Sequence, residues 1–185
     1  MDKKEVLLTL ARAAIAEELG IPYEADIEQI RAENPWLEEQ GAVFVTLNTV
    51  SSGALRGCIG SIIAHQSLFD DLMQNARSAA FGDPRFNALS RDEFRQITVE
   101  VSLLTPPQFL PYDSIEELKA KIRIGTDGVI LKSGIHQATF LPQVWEQLPT
   151  FELFMSHLCQ KAGMEPGCLE RDPEIFVYQV EEYHE

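Results

Sequence analysis

Two pairs of strand-length apolar segments, each joined by a short turn, constrain the fold of this chain most. The apolar run at residues 42–47 is followed by the turn signal Ser51-Ser52-Gly53 and by a strand pattern over residues 55–63, which predicts a β-hairpin. A second hairpin is predicted within residues 128–141, around the turn Ser133-Gly134. Because the first run lacks a clean alternation of apolar and polar residues, we expect it to be covered on both faces.

Helical segments with recognisable caps lie between these strand patterns. Helices are predicted over residues 3–19, after Ser67, over residues 114–122 and over residues 150–162, with single strands at residues 98–104 and 175–180. Hairpins interspersed with helices indicate an α+β fold with a largely antiparallel β-sheet. The length of 185 residues and the absence of a linker predict a single domain over residues 1–185, in which no boundary between two lobes is readable.

Composition excludes several classes of protein. The net charge of −14 and the lack of a basic cluster argue against nucleic-acid binding, and no apolar run is long enough to span a membrane. Cys58, Cys159 and Cys168 are too few and too scattered for a disulfide framework, and the N-terminal segment lacks the pattern of a signal peptide. We therefore expect a cytoplasmic protein.

The segment Leu55–Gly60, with the sequence LRGCIG, carries the most chemical information. In an extended strand Arg56, Cys58 and Gly60 share one face, and a guanidinium beside a thiol lowers the pKa of the thiol. Gly57 and Gly60 leave the backbone bare, so that a ligand or another segment of the chain could approach closely. The alternative is purely structural, since cysteines are often buried and strand glycines also mark bulges.

The same hexapeptide resembles the hallmark of the AMMECR domain family. Six further stretches occur in the order seen in that family, among them FVTL before the hexapeptide, DPRF after the next helix, and EVSLLTPP on the following strand. The resemblance implies one antiparallel sheet built from two related α/β halves, with the hexapeptide near a cleft. It also implies Memo-like and radical S-adenosylmethionine (radical SAM) proteins as partners, because many relatives are encoded beside them, but it assigns no reaction.

Five residues outside the hexapeptide are further candidates. Asp83 and Arg85 flank a proline, where they form either an anion-binding corner or a local brace. Glu100 faces away from the apolar side of its strand and is a solvent-facing residue, an ion-pair partner of an arginine, or a general base. His136 is a structural or an acid–base histidine, and Gln143 either binds a ligand or caps a turn.

These observations leave two functional hypotheses open. In the favoured one, the hexapeptide shapes a cleft in a binding or adaptor module for a small molecule, a peptide or a partner protein. In the alternative, Cys58 is the nucleophile of a thiol-dependent enzyme, supported by Arg56 and assisted by Glu100 or His136. No phosphate-binding loop, dinucleotide fingerprint or metal-ligand spacing is present, so no cofactor or metal is predicted.

Overall fold

The computed structural model describes residues 1–185. Its six α-helices and two four-stranded β-sheets confirm the α+β prediction. The helices are α1 (Lys3–Leu19), α2 (Ile27–Glu33), α3 (Leu68–Phe81), α4 (Arg91–Phe94), α5 (Ile115–Lys121) and α6 (Phe151–Lys161). The strands are β1 (Ala42–Thr49), β2 (Leu55–Gly60), β3 (Ile97–Leu104), β4 (Gln108–Phe109), β5 (Gly128–Ser133), β6 (His136–Phe140), β7 (Glu174–Tyr178) and β8 (Val180–His184).

The chain divides into two compact units. The first contains residues 1–104 and 181–185, and the second contains residues 105–180. Each unit has its own four-stranded sheet, in the order β2-β1-β3-β8 in the first and β4-β7-β5-β6 in the second. The single sheet that the family resemblance implied is therefore wrong, because each unit pairs its strands only among themselves. None of the helices combines the length and the apolar character needed to cross a bilayer.

In the first unit, β1 pairs antiparallel with β2 and β3, which confirms the first predicted hairpin. Val43, Val45 and Leu47 are fully buried in the core that includes α1 and α3. The intervening Phe44 and Thr46 are only half-buried. The prediction that both faces of this strand are covered is therefore wrong, because burial alternates along the strand and leaves Phe44 and Thr46 on the less buried face.

The strand β2 is shorter than predicted and ends at Gly60. The following residue, Ser61, donates a hydrogen bond through Oγ to Oδ1 of the buried Asp71 on α3, at 2.7 Å. Asp71 also accepts the backbone N–H of Val43 at 2.9 Å. This buried carboxylate joins α3 to β1 and to the loop after the hexapeptide, and it draws the chain out of the strand at that point.

In the second unit, β5 pairs antiparallel with β6 and β7, which confirms the second predicted hairpin. The helix α6 supplies Phe154 and Leu158 to a core that includes Leu131, and Phe154 stacks on Trp145 with ring centroids 3.6 Å apart. A disulfide bond joins the buried cysteines Cys159 and Cys168, a pairing that the sequence analysis did not identify.

Candidate functional site

A row of polar side chains crosses the sheet of the first unit on the face opposite its buried apolar side chains. Thr46 on β1 pairs with Cys58 on β2 and with Glu100 on β3. The Oγ1 atom of Thr46 lies 3.2 Å from the Sγ atom of Cys58. All three residues are half-buried. The structure thus places two of the predicted site residues, Cys58 and Glu100, on either side of a threonine that sequence reasoning did not single out.

Arg56 forms an ion pair with Glu93. Its Nε lies 2.6 Å from Glu93 Oε2, its Nη2 lies 3.2 Å from Oε1, and Nη2 also donates to the carbonyl oxygen of Asn87 at 2.8 Å. Its guanidinium lies 5.6 Å from the centre of the Phe86 ring. The arginine therefore ties the hexapeptide to α4 and to the segment that leads into it, through an ion pair that the sequence did not predict.

One guanidinium nitrogen of Arg56 differs from the others. Only 12 % of the side chain is exposed, and the Nη1 atom is buried without a hydrogen-bond partner. A buried donor that makes no hydrogen bond is destabilising by about 1–3 kcal/mol. An open recess of about 410 Å³ is lined by Arg56, Pro84, Arg85, Phe86, Asn87 and Glu93. Arg56 thus lines this recess and also has a buried donor that the protein itself does not satisfy.

Asp83 and Arg85 form a brace at the same edge of the sheet. The guanidinium of Arg85 donates through Nε and Nη2 to the two carboxylate oxygens of Asp83, at 3.0 and 2.7 Å. Asp83 Oδ2 also accepts the backbone N–H of Cys58 at 3.0 Å. These bonds hold the pKa of the Asp83 carboxyl far below its ordinary value, with the Arg85 hydrogen bond as the largest cause. Because β2 is an edge strand, the aspartate also occupies an amide that would otherwise be free to pair with another strand.

Cys58 is the free cysteine of the chain. Burial raises the pKa of its thiol, although the hydrogen bond with Thr46 and the charge of Arg85 act in the opposite direction. The carboxylates of Asp83 and Glu100 raise the pKa further. The prediction of a lowered thiol pKa is therefore wrong, because the sulfur is largely buried and Arg56 points its charge at Glu93 instead.

Other segments of the chain pack closely against Gly57 and Gly60, the two glycines of the hexapeptide. A Cβ atom on Gly57 would lie 2.1 Å from the carbonyl oxygen of Ala79 on α3. A Cβ atom on Gly60 would lie 2.2 Å from the ring of Phe44 on the neighbouring strand. Both glycines thus let the hexapeptide pack closely, against a helix on one face and an aromatic ring on the other.

His136 and Gln143 belong to the second unit. The Nδ1 atom of His136 lies 2.9 Å from the carbonyl oxygen of Ala162, which follows α6. Gln143 is exposed in the 3-10 turn Pro142–Glu146. These two residues are therefore not part of the polar row. The row and the groups around it contain the remaining predicted residues, which all belong to the first unit, together with Thr46 and Glu93.

A group of metal-ligating side chains extends the polar row to the fourth strand. Glu100 on β3 and Glu182 and His184 on β8 place one donor atom each within 4.8 Å of one another. The Nδ1 atom of His184 lies 3.4 Å from Glu100 Oε2, and its Nε2 atom lies 3.5 Å from Glu182 Oε2. Sequence spacing could not indicate this group, since Glu182 and His184 lie 82 and 84 positions after Glu100. The three residues meet only because β3 pairs with β8.

Comparison with known proteins identifies the family of this chain. The sequence model of the AMMECR1 family matches residues 8–183. The chain belongs to the AMMECR1 family. Its relatives include a protein of Methanothermobacter thermautotrophicus, 37 % identical over all of this chain and 95 % of the relative. Another relative, from Pyrococcus furiosus, is 38 % identical over 98 % of this chain and 87 % of its own length.

The fold of this AMMECR1 protein is also found in a solved structure. The crystal structure of the uncharacterized protein PH0010 from Pyrococcus horikoshii is 36 % identical and aligns with a TM-score of 0.83, covering all of this chain and 93 % of that protein. The family and the fold are thus established, and the comparisons assign neither an activity nor a partner.

Proposed function

We propose that this AMMECR1 protein is a binding module that recognises a partner through the recess beside the hexapeptide, and that Memo-like and radical SAM proteins are its partners. The observation that carries the proposal is the buried Nη1 donor of Arg56, which has no acceptor in the protein. A carbonyl or carboxylate oxygen supplied by a partner would complete it once the guanidinium turns toward the recess that Arg56 lines. Forming a charge-assisted hydrogen bond there would contribute about 1.5–3 kcal/mol to binding.

The surroundings of the recess suit recognition better than catalysis. Arg56 and Asp83 hold the edge strand in place, so the recess is lined by residues whose positions are fixed before a partner binds. Arg85 leaves more than half of its side chain exposed, and Asp83 occupies only its Nε and Nη2 edge. The remaining edge of this guanidinium can donate to an acidic or carbonyl group of a partner.

The experiment is a binding measurement with the Memo-like and radical SAM proteins of the same organism. The full-length chain is immobilised, and dissociation constants are measured for the wild type and for Arg56→Lys, which retains the charge but lacks the Nη1 donor. Arg77→Lys is the matched control, since Arg77 forms an exposed ion pair with Glu17 in the same unit. Cys58→Ser tests whether the thiol contributes.

We expect the wild type to bind at least one of the two proteins and Arg56→Lys to bind about tenfold more weakly, the loss of one charge-assisted hydrogen bond. Arg77→Lys and Cys58→Ser should bind as the wild type does. Melting temperatures of all variants separate a local loss of contact from unfolding. Equal affinities of wild type and Arg56→Lys, or no binding of either protein by the wild type, would contradict the proposal.

One observation favours a second candidate, a thiol-dependent enzyme. Cys58 is free and half-buried, Thr46 contacts its sulfur, and Glu100 lies on the other side of that threonine as a potential proton acceptor. The rate of alkylation by iodoacetamide as a function of pH distinguishes the candidates. A binding module should show an apparent thiol pKa above the ordinary value of about 8.5, whereas a thiolate enzyme requires a lower one.

A further inference from the structure

Glu100 is an exception among the partly or fully buried carboxylates of the first unit. Asp83 is paired with Arg85, and Glu93 is paired with Arg56. Asp71 accepts hydrogen bonds from a backbone amide, a serine hydroxyl and two side-chain amides. No N–H or O–H group of the first unit donates to the carboxylate of Glu100, although only 18 % of its side chain is exposed. A carboxylate withdrawn from water in this way is destabilising unless a cation approaches it.

The nearest groups increase the need for a cation. The carboxylate of Glu182 lies in the same group of donors, and its charge repels that of Glu100. His184 lies between them, 3.4 Å from one carboxylate and 3.5 Å from the other. A neutral imidazole leaves the group with two negative charges, which a divalent cation would balance.

The types and spacing of the donors fit a metal ion. One imidazole nitrogen and two carboxylate oxygens form a mixed nitrogen and oxygen ligand set, which suits zinc and the neighbouring divalent transition metals. Ligand atoms about 2.0–2.2 Å from a common ion lie up to about 4 Å apart. The observed separation, at most 4.8 Å, closes to that value through small rotations of the exposed side chains of Glu182 and His184.

The positions of the three residues are set by the sheet. Glu182 and His184 are two residues apart on β8 and therefore share a face, and Glu100 faces them from the adjacent β3. Three protein ligands leave coordination positions for water or for a group of a bound molecule. The polar row that begins with this group continues through Thr46 to Cys58.

We propose that Glu100, Glu182 and His184 form a binding site for a divalent transition metal ion, with zinc as its representative. The site holds one ion per chain through one nitrogen and two carboxylate ligands. It is independent of the partner-binding recess, which uses Arg56 and Arg85.

Isothermal titration calorimetry of the full-length, chelator-treated protein with zinc chloride tests the site. We expect one ion to bind per chain, and Glu100→Gln and His184→Gln each to weaken binding by at least about tenfold, as expected when a ligand is lost. Glu181→Gln is the matched control, because Glu181 lies on the same strand and forms an ion pair with Lys3. This variant should bind zinc as the wild type does.

Two additional measurements separate the loss of a metal ligand from unfolding and from metal binding at the cysteine. The melting temperatures of the metal-free variants show that each has folded, and Glu100→Gln should fold at least as well as the wild type because it removes a poorly satisfied charge. Titration with cobalt chloride reports the ligands directly, since a thiolate ligand adds a charge-transfer band in the near ultraviolet. We expect no such band, and Cys58→Ser should bind one ion.

Three outcomes would overturn the proposal. The first is the absence of saturable zinc binding by the wild type. The second is zinc binding that persists unchanged in Glu100→Gln and His184→Gln. The third is a thiolate band that disappears in Cys58→Ser, which would assign the metal to the cysteine. Partner binding by the recess, measured separately with Arg56→Lys, does not depend on any of these results.

Discussion

Each of the two units contains a buried aspartate held by an arginine, but the two aspartates hold different structures. In the first unit, Asp83 pairs with Arg85 and accepts the amide of Cys58 on an edge strand. In the second, Asp127 pairs with Arg123, accepts the amide of that same arginine and is bonded by the side chain of Gln179. One brace therefore holds a strand next to a free thiol, whereas the other closes the loop after α5 and ties it to Gln179.

The two units also differ in the state of their cysteines. Cys58 in the first unit is free and half-buried, whereas Cys159 and Cys168 in the second are bonded to each other and fully buried. A buried disulfide offers neither a nucleophile nor a metal ligand. The comparison shows that similar aspartate–arginine pairs can stabilise different local structures. It also shows that the polar groups without a hydrogen-bond partner, Arg56 Nη1 and the Glu100 carboxylate, lie in the first unit.

The largest expected effect tests how tightly the hexapeptide is packed. Gly57→Ala forces a Cβ atom to within 2.1 Å of a helix carbonyl oxygen, and the backbone must move to relieve the clash. We expect a loss of roughly 4 kcal/mol in the free energy of unfolding, measured by urea denaturation. Gly167→Ala in the second unit is the control, since nothing lies within 4 Å of its Cβ position. Comparable stabilities of the two variants would show that the close approach to α3 does not constrain the strand.

The next effect compares the two aspartates directly. Asp83→Ala and Asp127→Ala each leave an arginine and a backbone amide without their acceptor, and we expect losses of about 3 kcal/mol in unfolding free energy. Only Asp83→Ala should change the rate at which iodoacetamide modifies Cys58, because Asp83 holds the amide of that residue. Alkylation rates that change equally in both variants would contradict the difference drawn between the two braces.

A smaller effect is expected from the disulfide of the second unit. The bond joins residues nine positions apart, and closing such a short loop stabilises a folded chain by about 2 kcal/mol. Replacing both Cys159 and Cys168 by serine should lower the melting temperature, and a reducing agent should lower that of the wild type but not that of the variant. Cys58→Ser should leave the sensitivity to reduction unchanged. A wild type unaffected by reduction would show that the bond contributes nothing to stability.

The smallest effect is a dependence of stability on pH. Burial raises the pKa of Glu100, so the folded protein holds this proton more tightly than the unfolded chain does. Stability contributed by this residue is therefore present at low pH and falls as the pH rises from the ordinary glutamate value of about 4.3 through the raised one. The lowered pKa of Asp83 has the opposite sign, since its contribution is present at neutral pH and is lost on acidification.

Glu100→Gln isolates this contribution. The metal-free variant should gain less than about 1 kcal/mol at pH 7 relative to the wild type, and the gain should vanish below pH about 4. Melting curves over that pH range measure it, with Glu181→Gln as the exposed control on a neighbouring strand. A variant that is less stable than the metal-free wild type at pH 7 would show that the carboxylate is satisfied by a contact within the protein.

The sequence predicted most of the helices and strands because caps and periodicity are local properties. The helix α1 has the predicted bounds, with Asp2 as its N-cap and Gly20 in the left-handed region at its end. The two hairpins formed around their predicted turns. The strand β8 was missed, because a run that includes Glu181, Glu182 and His184 has neither an apolar pattern nor a turn signal.

The candidate site was predicted less completely. The shared face of Arg56 and Cys58 follows from the period of a strand, and the close packing of Gly57 follows from the absence of a side chain. The partner of the arginine did not follow, since Glu93 lies 37 positions away and several carboxylates could have paired with it. The raised pKa of the thiol also depends on distant residues, because burial and neighbouring charge determine it.

The amino-acid sequence alone determined the family, the α+β class and the hexapeptide strand, since these depend on residue identities and on spacings of a few positions. Tertiary structure decided which polar groups meet: Arg56 with Glu93, Asp83 with Arg85 and the amide of Cys58, and Glu100 with His184. Electrostatic interactions depend on distance and on exclusion of water. Strand pairing and helix packing bring residues that are far apart in the sequence to within a few ångströms of one another. Local sequence patterns do not indicate which residues will become neighbours in this way.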